Sequence, residues 1–380
     1  MTKILIINAG SSSVKFRLYD GDVIVLDGVV DRIGKDAVLE MAAGQRLAPE
    51  QHQQYVKAAN HAQAGVVITD VLGDNAPDII AHRVVYGADH TTPLRITEKA
   101  IGELKSYVPL APLHMPPAIA LIEFFHHRLG VEQVACFDTM FHAGMPEVAK
   151  TYAIPQDLAK KHGIVRRGFH GLAHEAMAVE AAKRASLDYK RSRIITCQLG
   201  NGASVCAILN GKSVETSMGF TPLEGLVMGT RSGDIDPAII PFLIEHEHKT
   251  AAQILDLLEH ESGLKGLAGA SDVRDLLARE KKGDAQAKLA LDVAAHRVKK
   301  YIGAYLAVLG GADLIVLGGG IPRAPAMRER ILNGLEEFGI VLDARKVKDA
   351  APALINKGRV QVWVIEPDEQ EHMLKLVKGF

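Results

Sequence analysis

The sequence predicts an α/β fold of two related halves, each with a mixed sheet, set around a cleft. Three observations carry that expectation. Residues 4–16 read ILIINAGSSSVKF and residues 194–207 read IITCQLGNGASVCA, with Gly200 standing where Gly10 stood and Asn210-Gly211 where Asp20-Gly21 stood. Strand-like apolar runs come in clusters, and segments of helical spacing follow each cluster. The chain has 380 residues, which at roughly 150 residues per domain makes two domains.

Ile4, Leu5, Ile6 and Ile7 form a branched apolar run that reads as a buried strand. Asn8, Gly10 and Ser11, Ser12 and Ser13 make a polar turn, and Val14, Phe16 and Leu18 alternate with Lys15, Arg17 and Tyr19 in a second strand. Such a turn offers small hydroxyls, a permissive glycine and exposed N–H groups, the parts needed to approach phosphate oxygens closely. Hairpins are common, but two with one register and the same Gly/Ser content point to duplication.

A strand at 23–30 follows, then a turn-rich connection at 31–45 and a helix at 51–72 that stops at Gly73. Residues 79–85 form a strand carrying His82 and Arg83, followed by Gly87. Thr97 caps a helix reaching about Tyr107, with Glu98 in its first turn. Pro109, Pro112, Pro116 and Pro117 break the chain around His114, and Pro117 opens a helix at 118–129 that ends at Gly130. Asp138 stands just past a strand at 133–137, where α/β folds place chemistry. Residues 145–154 cross into the second half.

Residues 166–174 form a Gly-rich turn entering a helix at 173–184, and the second hairpin comes next. Residues 217–238, SMGFTPLEGLVMGTRSGDIDPA, have no period, and long loops of that kind inside compact domains are usually functional. Helices are expected at 238–247 and 250–260, with Ser271 capping a short one that contains Asp272 and Arg274. A long core helix spans 289–309, and a strand at 314–317 runs into Gly318, Gly319 and Gly320. The last strand is 360–365, followed by an acidic turn at 366–371 and a short helix.

Composition narrows the function. Lys and Arg number 44 against 45 Asp and Glu, so nothing suggests nucleic acid or an anionic membrane as partner. No apolar run approaches the roughly 18 residues of a membrane span, and the N-terminus lacks a signal-peptide pattern, which leads to the expectation of a cytoplasmic protein. Cys136, Cys197 and Cys206 lie in apolar runs, an odd set that fits structural thiols in a reducing compartment.

Glycine turns near residues 10, 200 and 320, without any Walker-type P-loop, make a three-point nucleotide site outside the P-loop class. Arg83 and Arg231 sit among glycines and apolar residues, a setting that suits bidentate gripping of carboxylate or phosphoryl oxygens. A structural salt bridge is the commoner fate of a single arginine. Phosphoryl transfer needs cations, a Mg²⁺ site and few acid–base groups, and Asn8, Asp138 and Glu369 are candidates to hold Mg²⁺ directly or through water. His170 and His174 are four apart, but HExxH is absent and zinc would need a third ligand, so His170 reads as a hydrogen-bond donor to a phosphoryl group. His126-His127 reads as a solvated helix end.

These motifs resemble the acetate kinase family of short-chain carboxylate kinases. The matching stretches are INAGSSSVKF (7–16), AHRVVYGA (81–88), LAPLHMPP (110–117), FDTMFH (137–142), GFHGLAH (168–174), CQLGNGAS (197–204), the long 215–238 stretch and VIEPDE (364–369). The resemblance implies the sugar kinase/heat-shock chaperone/actin (ribonuclease H-like) fold, a homodimer, and reversible Mg²⁺-dependent transfer from ATP to acetate or propionate, giving acetyl phosphate (or its propionyl counterpart) and ADP, with Mn²⁺ as an alternative metal. On that plan residues 1–148 with about 367–380 form the first domain, and 149–366 form the second, with the nucleotide site and dimer interface.

Position by position, the resemblance makes Asn8 and Glu369 the metal positions. It makes Ser11, Ser13, Lys15, Gln198, Leu199, Gly200, Asn201 and Gly202 the ATP phosphate contacts. Arg83 becomes the substrate arginine, Asp138 the active-site aspartate, and His170 and Arg231 the transition-state stabilisers. Val85, Leu113, Phe169 and Pro222 fall at the small apolar pocket. Asp272, Val273 and Arg274, with Gly320, Ile321, Pro322, Arg323 and Ala324, fall at the nucleoside site. A carboxylate substrate is already ionised at pH 7, so Asp138 is expected to orient an arginine or a metal-bound water rather than act as a base.

Three departures stand out. The family usually has His at Gln198, GIGEN where 320–324 read GIPRA, and TNEEL where the closing turn reads PDEQE. Gln carries no positive charge, Pro322 removes a backbone donor and Arg323 replaces an acidic side chain. Two alternatives therefore stay open: the same chemistry with pyrophosphate or another phosphoryl donor, and a non-catalytic nucleotide-binding switch on the same fold.

Overall fold

The structure, a computed structural model, describes residues 2–42, 53–112 and 114–380. The chain separates into two compact units, Met1–Ala143 with Asp368–Phe380, and Gly144–Pro367.

The first unit is built on an eight-stranded sheet: β1 (Lys3–Ala9), β2 (Val14–Asp20), β3 (Val23–Asp31), β4 (Val38–Met41), β5 (Gln53–Tyr55), β6 (Ile79–Val84), β7 (Leu94–Arg95) and β8 (Glu132–Phe137). Their spatial order is β5-β4-β3-β2-β1-β6-β8-β7. β1 pairs antiparallel with β2 and parallel with β6, so it is flanked on both edges. Ile4, Leu5, Ile6 and Ile7 are each no more than 2% exposed, which is why the run is apolar without alternation. Burying each such side chain stabilises by roughly 1.5–3 kcal/mol. The helix Glu369–Lys378 packs on β1, β6 and β8, which places Glu369 in this unit.

The second unit contains β9 (Arg193–Leu199), β10 (Ala203–Leu209), β11 (Lys212–Thr216), β12 (Leu314–Gly318), β13 (Ala353–Leu354) and β14 (Gln361–Val364), in the order β11-β10-β9-β12-β14-β13. β9 pairs antiparallel with β10 and parallel with β12, as β1 does with β2 and β6. The succession β3-β2-β1-β6-β8 is thus repeated as β11-β10-β9-β12-β14. Each hairpin turn closes on a glycine N–H but over a different length: Gly10 N donates to Ser13 O at 2.7 Å in a connection of four residues, and Gly200 N to Gly202 O at 3.0 Å in one of three. The helices Gly171–Arg184 and Ala285–Leu309 pack against β9, the first also on β12 and the second on β10.

Several expected elements shift. The helix expected at 51–72 is His61–Leu72; Asn60 caps it by accepting from Gln63 N, and Gln53–Tyr55 are strand instead. Residues 51 and 52 lie outside the described residues. The turn-rich 31–45 connection contains β4, whose Val38 and Leu39 are buried. The helix expected from Pro117 is Met115–Arg128, with both prolines in its first turn, where a missing N–H costs nothing. Asp272, not Ser271, caps Val273–Glu280, its side chain accepting from Arg274 N. The long helix begins earlier, at Ala285.

Candidate active site

In the first unit Asn8 and Arg83 are partners in the β1–β6 register, and Asp138 follows β8 with its N–H on Val84 O. The strand ends thus gather their polar residues at one point. Arg83 grips Asp138 with two bonds, Nε to Oδ1 at 2.8 Å and Nη2 to Oδ2 at 2.7 Å. Its Nη1 donates to Asn8 Oδ1 at 3.1 Å and lies 3.3 Å from Glu369 Oε2. Asn8 Nδ2 donates to the same Glu369 oxygen at 3.0 Å. Burial opposes the charge on Arg83, but Asp138 and Glu369 together outweigh it, and its pKa is raised. The Asp138 side chain is 2% exposed and bound to a permanent cation by two charge-assisted bonds.

In the second unit His170 stands at the start of Gly171–Arg184 with φ 60° and ψ 21°, a left-handed conformation that a non-glycine residue adopts only when its surroundings hold it there. Its Nδ1 is 2.9 Å from Ser204 Oγ. A Cβ added to Gly202 would lie 3.5 Å from His170 Nε2 and 3.7 Å from Arg231 Nη1, so the second hairpin turn, the imidazole and the guanidinium converge. Arg231 donates to Pro222 O at 3.5 Å. Burial lowers its pKa, and the field of Glu259 does not restore it, so an anion here would regain what burial costs.

The 217–238 segment has neither helix nor strand, yet it is firmly tied. Asp234 Oδ1 accepts from Gly225 N at 2.8 Å and Asp234 Oδ2 from Tyr301 OH at 2.7 Å. Tyr152 OH accepts from Phe220 N at 2.8 Å and donates to Glu224, while Arg166 Nη2 donates to Glu224 Oε1 at 2.6 Å. Gly233, at φ 68°, has room for no Cβ, because Leu226 O would stand 2.3 Å from it. These ties fix the loop that carries Pro222 and Arg231.

A cavity of about 610 Å³ in the second unit is lined by Gly200, Asn201, Ser271, Asp272, Val273, Arg274, Gly320, Ile321, Arg323 and Ala324. It unites the second hairpin turn with both segments expected at a nucleoside. Pro322 is buried and does not line it. Arg323 Nε donates to Glu366 at 2.7 Å, and Arg274 Nη2 to Asp272 at 2.6 Å, which holds the Asp272 carboxyl down at about 2.

The other expected residues fall as follows. Ser11, Ser13 and Lys15 belong to the first hairpin, with Ser11 and Lys15 exposed. The Leu199 side chain is buried, and Gln198 Oε1 is a buried acceptor with no hydrogen-bond partner among the described residues. Val85 is half-buried after β6; Phe169 is buried and Pro222 half-buried in the second unit; Leu113 lies outside the described residues. Among the described residues no group of three or more His, Cys, Asp and Glu could by itself hold a metal. Sequence reasoning missed the Tyr152–Glu224–Arg166 and Asp234–Tyr301 ties and the partners of His174. A polar residue inside an apolar strand, as with Thr196 and Ser204, was the available signal.

The repeated succession of strands, the arginine–carboxylate cluster at the strand ends of the first unit and the cavity of about 610 Å³ in the second define an α/β protein of two related units with a small-molecule site. Comparison with known proteins agrees. The profile of the acetokinase family matches residues 3–375. An acetate kinase of Heliobacterium modesticaldum is 41% identical over 397 residues, covering 99% of this chain and 100% of that one. Solved structures of a Porphyromonas gingivalis acetate kinase (TM-score 0.91, 35% identity, covering 100% of this chain and 99% of that one) and a Francisella tularensis propionate kinase (TM-score 0.92, 34%, 99% of each) are similar throughout. The chain belongs to the acetokinase family.

Proposed function

We propose that this chain transfers the terminal phosphoryl group of ATP to the carboxylate of acetate or propionate, reversibly, giving an acyl phosphate and ADP. The carrying observation is the cavity that joins Gly200–Asn201, Asp272–Arg274 and the 320–324 turn, a volume within the roughly 300–1,000 Å³ of small-molecule sites.

The carboxylate substrate has a pKa near 4–5 and arrives ionised, so no base is required. Asp138 takes two of the five N–H groups of Arg83, and Asn8 and Glu369 face its Nη1; the substrate carboxylate binds by taking the remaining Nη2 hydrogen and displacing these partners from Nη1. A substrate oxygen attacks the terminal phosphorus while the bond to the bridging oxygen of ADP breaks. Charge on the equatorial oxygens is met by Arg231 and by the ring N–H of His170. Ser11, Ser13 and Lys15 and the 198–202 turn contact the phosphates. Val85 in the first unit and Phe169 and Pro222 in the second are the apolar residues proposed for acyl-chain selection, and because one methylene changes discrimination by only roughly 1–3 kcal/mol, acetate and propionate are both candidate substrates.

Asn8 Oδ1 and the Glu369 carboxylate, which face Arg83 Nη1 in this structure, supply the one or two protein oxygens that Mg²⁺ would take alongside waters and substrate phosphates. A cation held there would supply neutralisation of phosphate charge. The helix Ile239–His246 (IIPFLIEH) has no buried residue, with Ile239 42% and Phe242 56% exposed, which supports a homodimer through this face. A cytoplasmic setting fits three buried free thiols, Cys136 being pushed up to about 12 by burial. No helix among the described residues is long and apolar enough to cross a membrane.

A second donor, pyrophosphate, is favoured by one observation: two arginines, Arg274 and Arg323, line the cavity. Hydroxylamine trapping of acyl phosphate decides, with acetate, propionate and butyrate each tested against ATP and pyrophosphate in Mg²⁺. Product with ATP from acetate or propionate supports the main reading. Product with pyrophosphate alone replaces the donor, and no product with any pair defeats the kinase assignment in favour of a binding switch.

A further inference from the structure

We propose that Thr196, His174 and Ser204 form a directed hydrogen-bond relay that holds His170 as the neutral tautomer with its proton on Nε2. The inference rests on the reading of His170 as a donor to the transferring phosphoryl group.

The relay is continuous. Thr196 Oγ1 is 2.7 Å from His174 Nδ1, His174 Nε2 is 2.8 Å from Ser204 Oγ, and Ser204 Oγ is 2.9 Å from His170 Nδ1. Thr196, His174 and Ser204 are all 0% exposed. The hairpin register explains the gathering: Ser204 pairs with Gln198 and Cys206 with Thr196, so Thr196 and Ser204 share one sheet face. His170 and His174, four apart, come down on that face from the helix Gly171–Arg184.

Direction follows from counting protons. A hydroxyl has one donor and two lone pairs. Among the described residues His174 Nδ1 is the hydrogen-bond partner of the Thr196 hydroxyl. Were Thr196 to accept, its own hydrogen would be buried unpaired, and an orphaned buried donor is costlier than a spare lone pair. Thr196 therefore donates to His174 Nδ1. His174 carries its proton on Nε2 and donates it to Ser204. The Ser204 hydrogen is then available to His170 Nδ1, which must accept it. The His170 proton is left on Nε2, the atom that a methyl on Gly202 would meet together with Arg231 Nη1. The opposite direction would aim a lone pair at the anion. Ser204 and Thr196 are positioning residues for His170.

The test is ¹⁵N NMR of the full chain labelled at histidine, at pH 8, with His170→Gln and His174→Gln used to assign signals. The expected result is protonated-type Nε2 and unprotonated-type Nδ1 for both rings. Thr196→Val, isosteric and remote from substrate, is expected to redistribute the tautomers of His174 and, through Ser204, of His170. Ser204→Ala is expected to lower kcat about 10- to 100-fold with KM for acid and donor nearly unchanged, and Ser204→Thr to restore much of it. A protonated Nδ1 or an imidazolium at His170 in the wild type overturns the proposal, as does Thr196→Val leaving the His170 signals unmoved. Should Ser204→Ala not fold, the wild-type tautomers still decide. A wild type that makes no acyl phosphate yet shows the expected tautomers would sink the kinase reading and leave the relay standing.

Discussion

Replacing Asp138 by asparagine separates an orienting carboxylate from a base. Asp138 is 1% exposed and takes Arg83 Nε at 2.8 Å and Nη2 at 2.7 Å. Asparagine keeps one acceptor and turns an NH₂ towards the other guanidinium nitrogen. One charge-assisted bond is lost, worth roughly 1.5–3 kcal/mol, and a buried cation loses its nearest anion. Asn8 at 3.1 Å and Glu369 at 3.3 Å still hold Nη1, which limits the damage. The expected loss is about 2–4 kcal/mol of transition-state stabilisation, roughly 30- to 1,000-fold in kcat/KM, with KM for acetate raised. Asp138→Ala should lose more activity and also about 1–3 kcal/mol of stability in urea, because both bonds to Asp138 go and only Asn8 and Glu369 still hold the part-buried guanidinium. The assay is acyl phosphate formation against acetate concentration, from pH 6 to pH 9. Because the substrate is already ionised, Asp138→Asn should keep the wild-type pH profile. A variant within threefold of wild type, or one whose pH profile loses a limb, refutes the reasoning.

Gly202→Ala should fold normally, since the nearest atoms to its methyl, from His170 and Arg231, stand at an ordinary 3.5–3.7 Å, yet it fills space beside both; thermal melts unchanged with kcat/KM down at least tenfold is the expected pair of results. Tyr152→Phe leaves Phe220 N and Glu224 without their shared hydroxyl and should cost about 1–3 kcal/mol in denaturant unfolding, loosening the 217–238 loop. Burial holds the His82 pKa down to about 4, against the opposing bond to Gln133. The folded state keeps His82 neutral while the unfolded chain takes a proton below about 6.5, so stability is full above that pH and falls as pH drops, by about 2 kcal/mol at pH 5. Urea unfolding of wild type and His82→Gln at pH 7.5 and pH 5 checks this, the variant being expected to show the smaller loss.

Much of this molecule was readable from local pattern. Ile4 to Ile7 had to be a strand buried on both faces, and the repeated Gly/Ser turn foretold a repeated sheet, because both are written in adjacent residues. Asp138 was marked by its place after an apolar strand. Short edge strands were not readable: Gln53–Tyr55 is exposed and carries no apolar alternation, so helical spacing across 51–72 outweighed it. The cap choice between Ser271 and Asp272 was equally hidden, since both side chains cap well and only backbone geometry separates them. The ties of the 217–238 loop and the chain from Thr196 to His170 join residues far apart in sequence, and only the folded register of β9 with β10 brings them together.

The most direct test of the account is the reverse reaction: acetyl phosphate, ADP and Mg²⁺ mixed with the full chain, ATP followed by luminescence, and Arg83→Ala and Arg231→Ala run alongside. The account predicts rapid ATP formation by the wild type and a loss of at least a hundredfold in each variant. No ATP from the wild type, or variants that match it, would contradict the account.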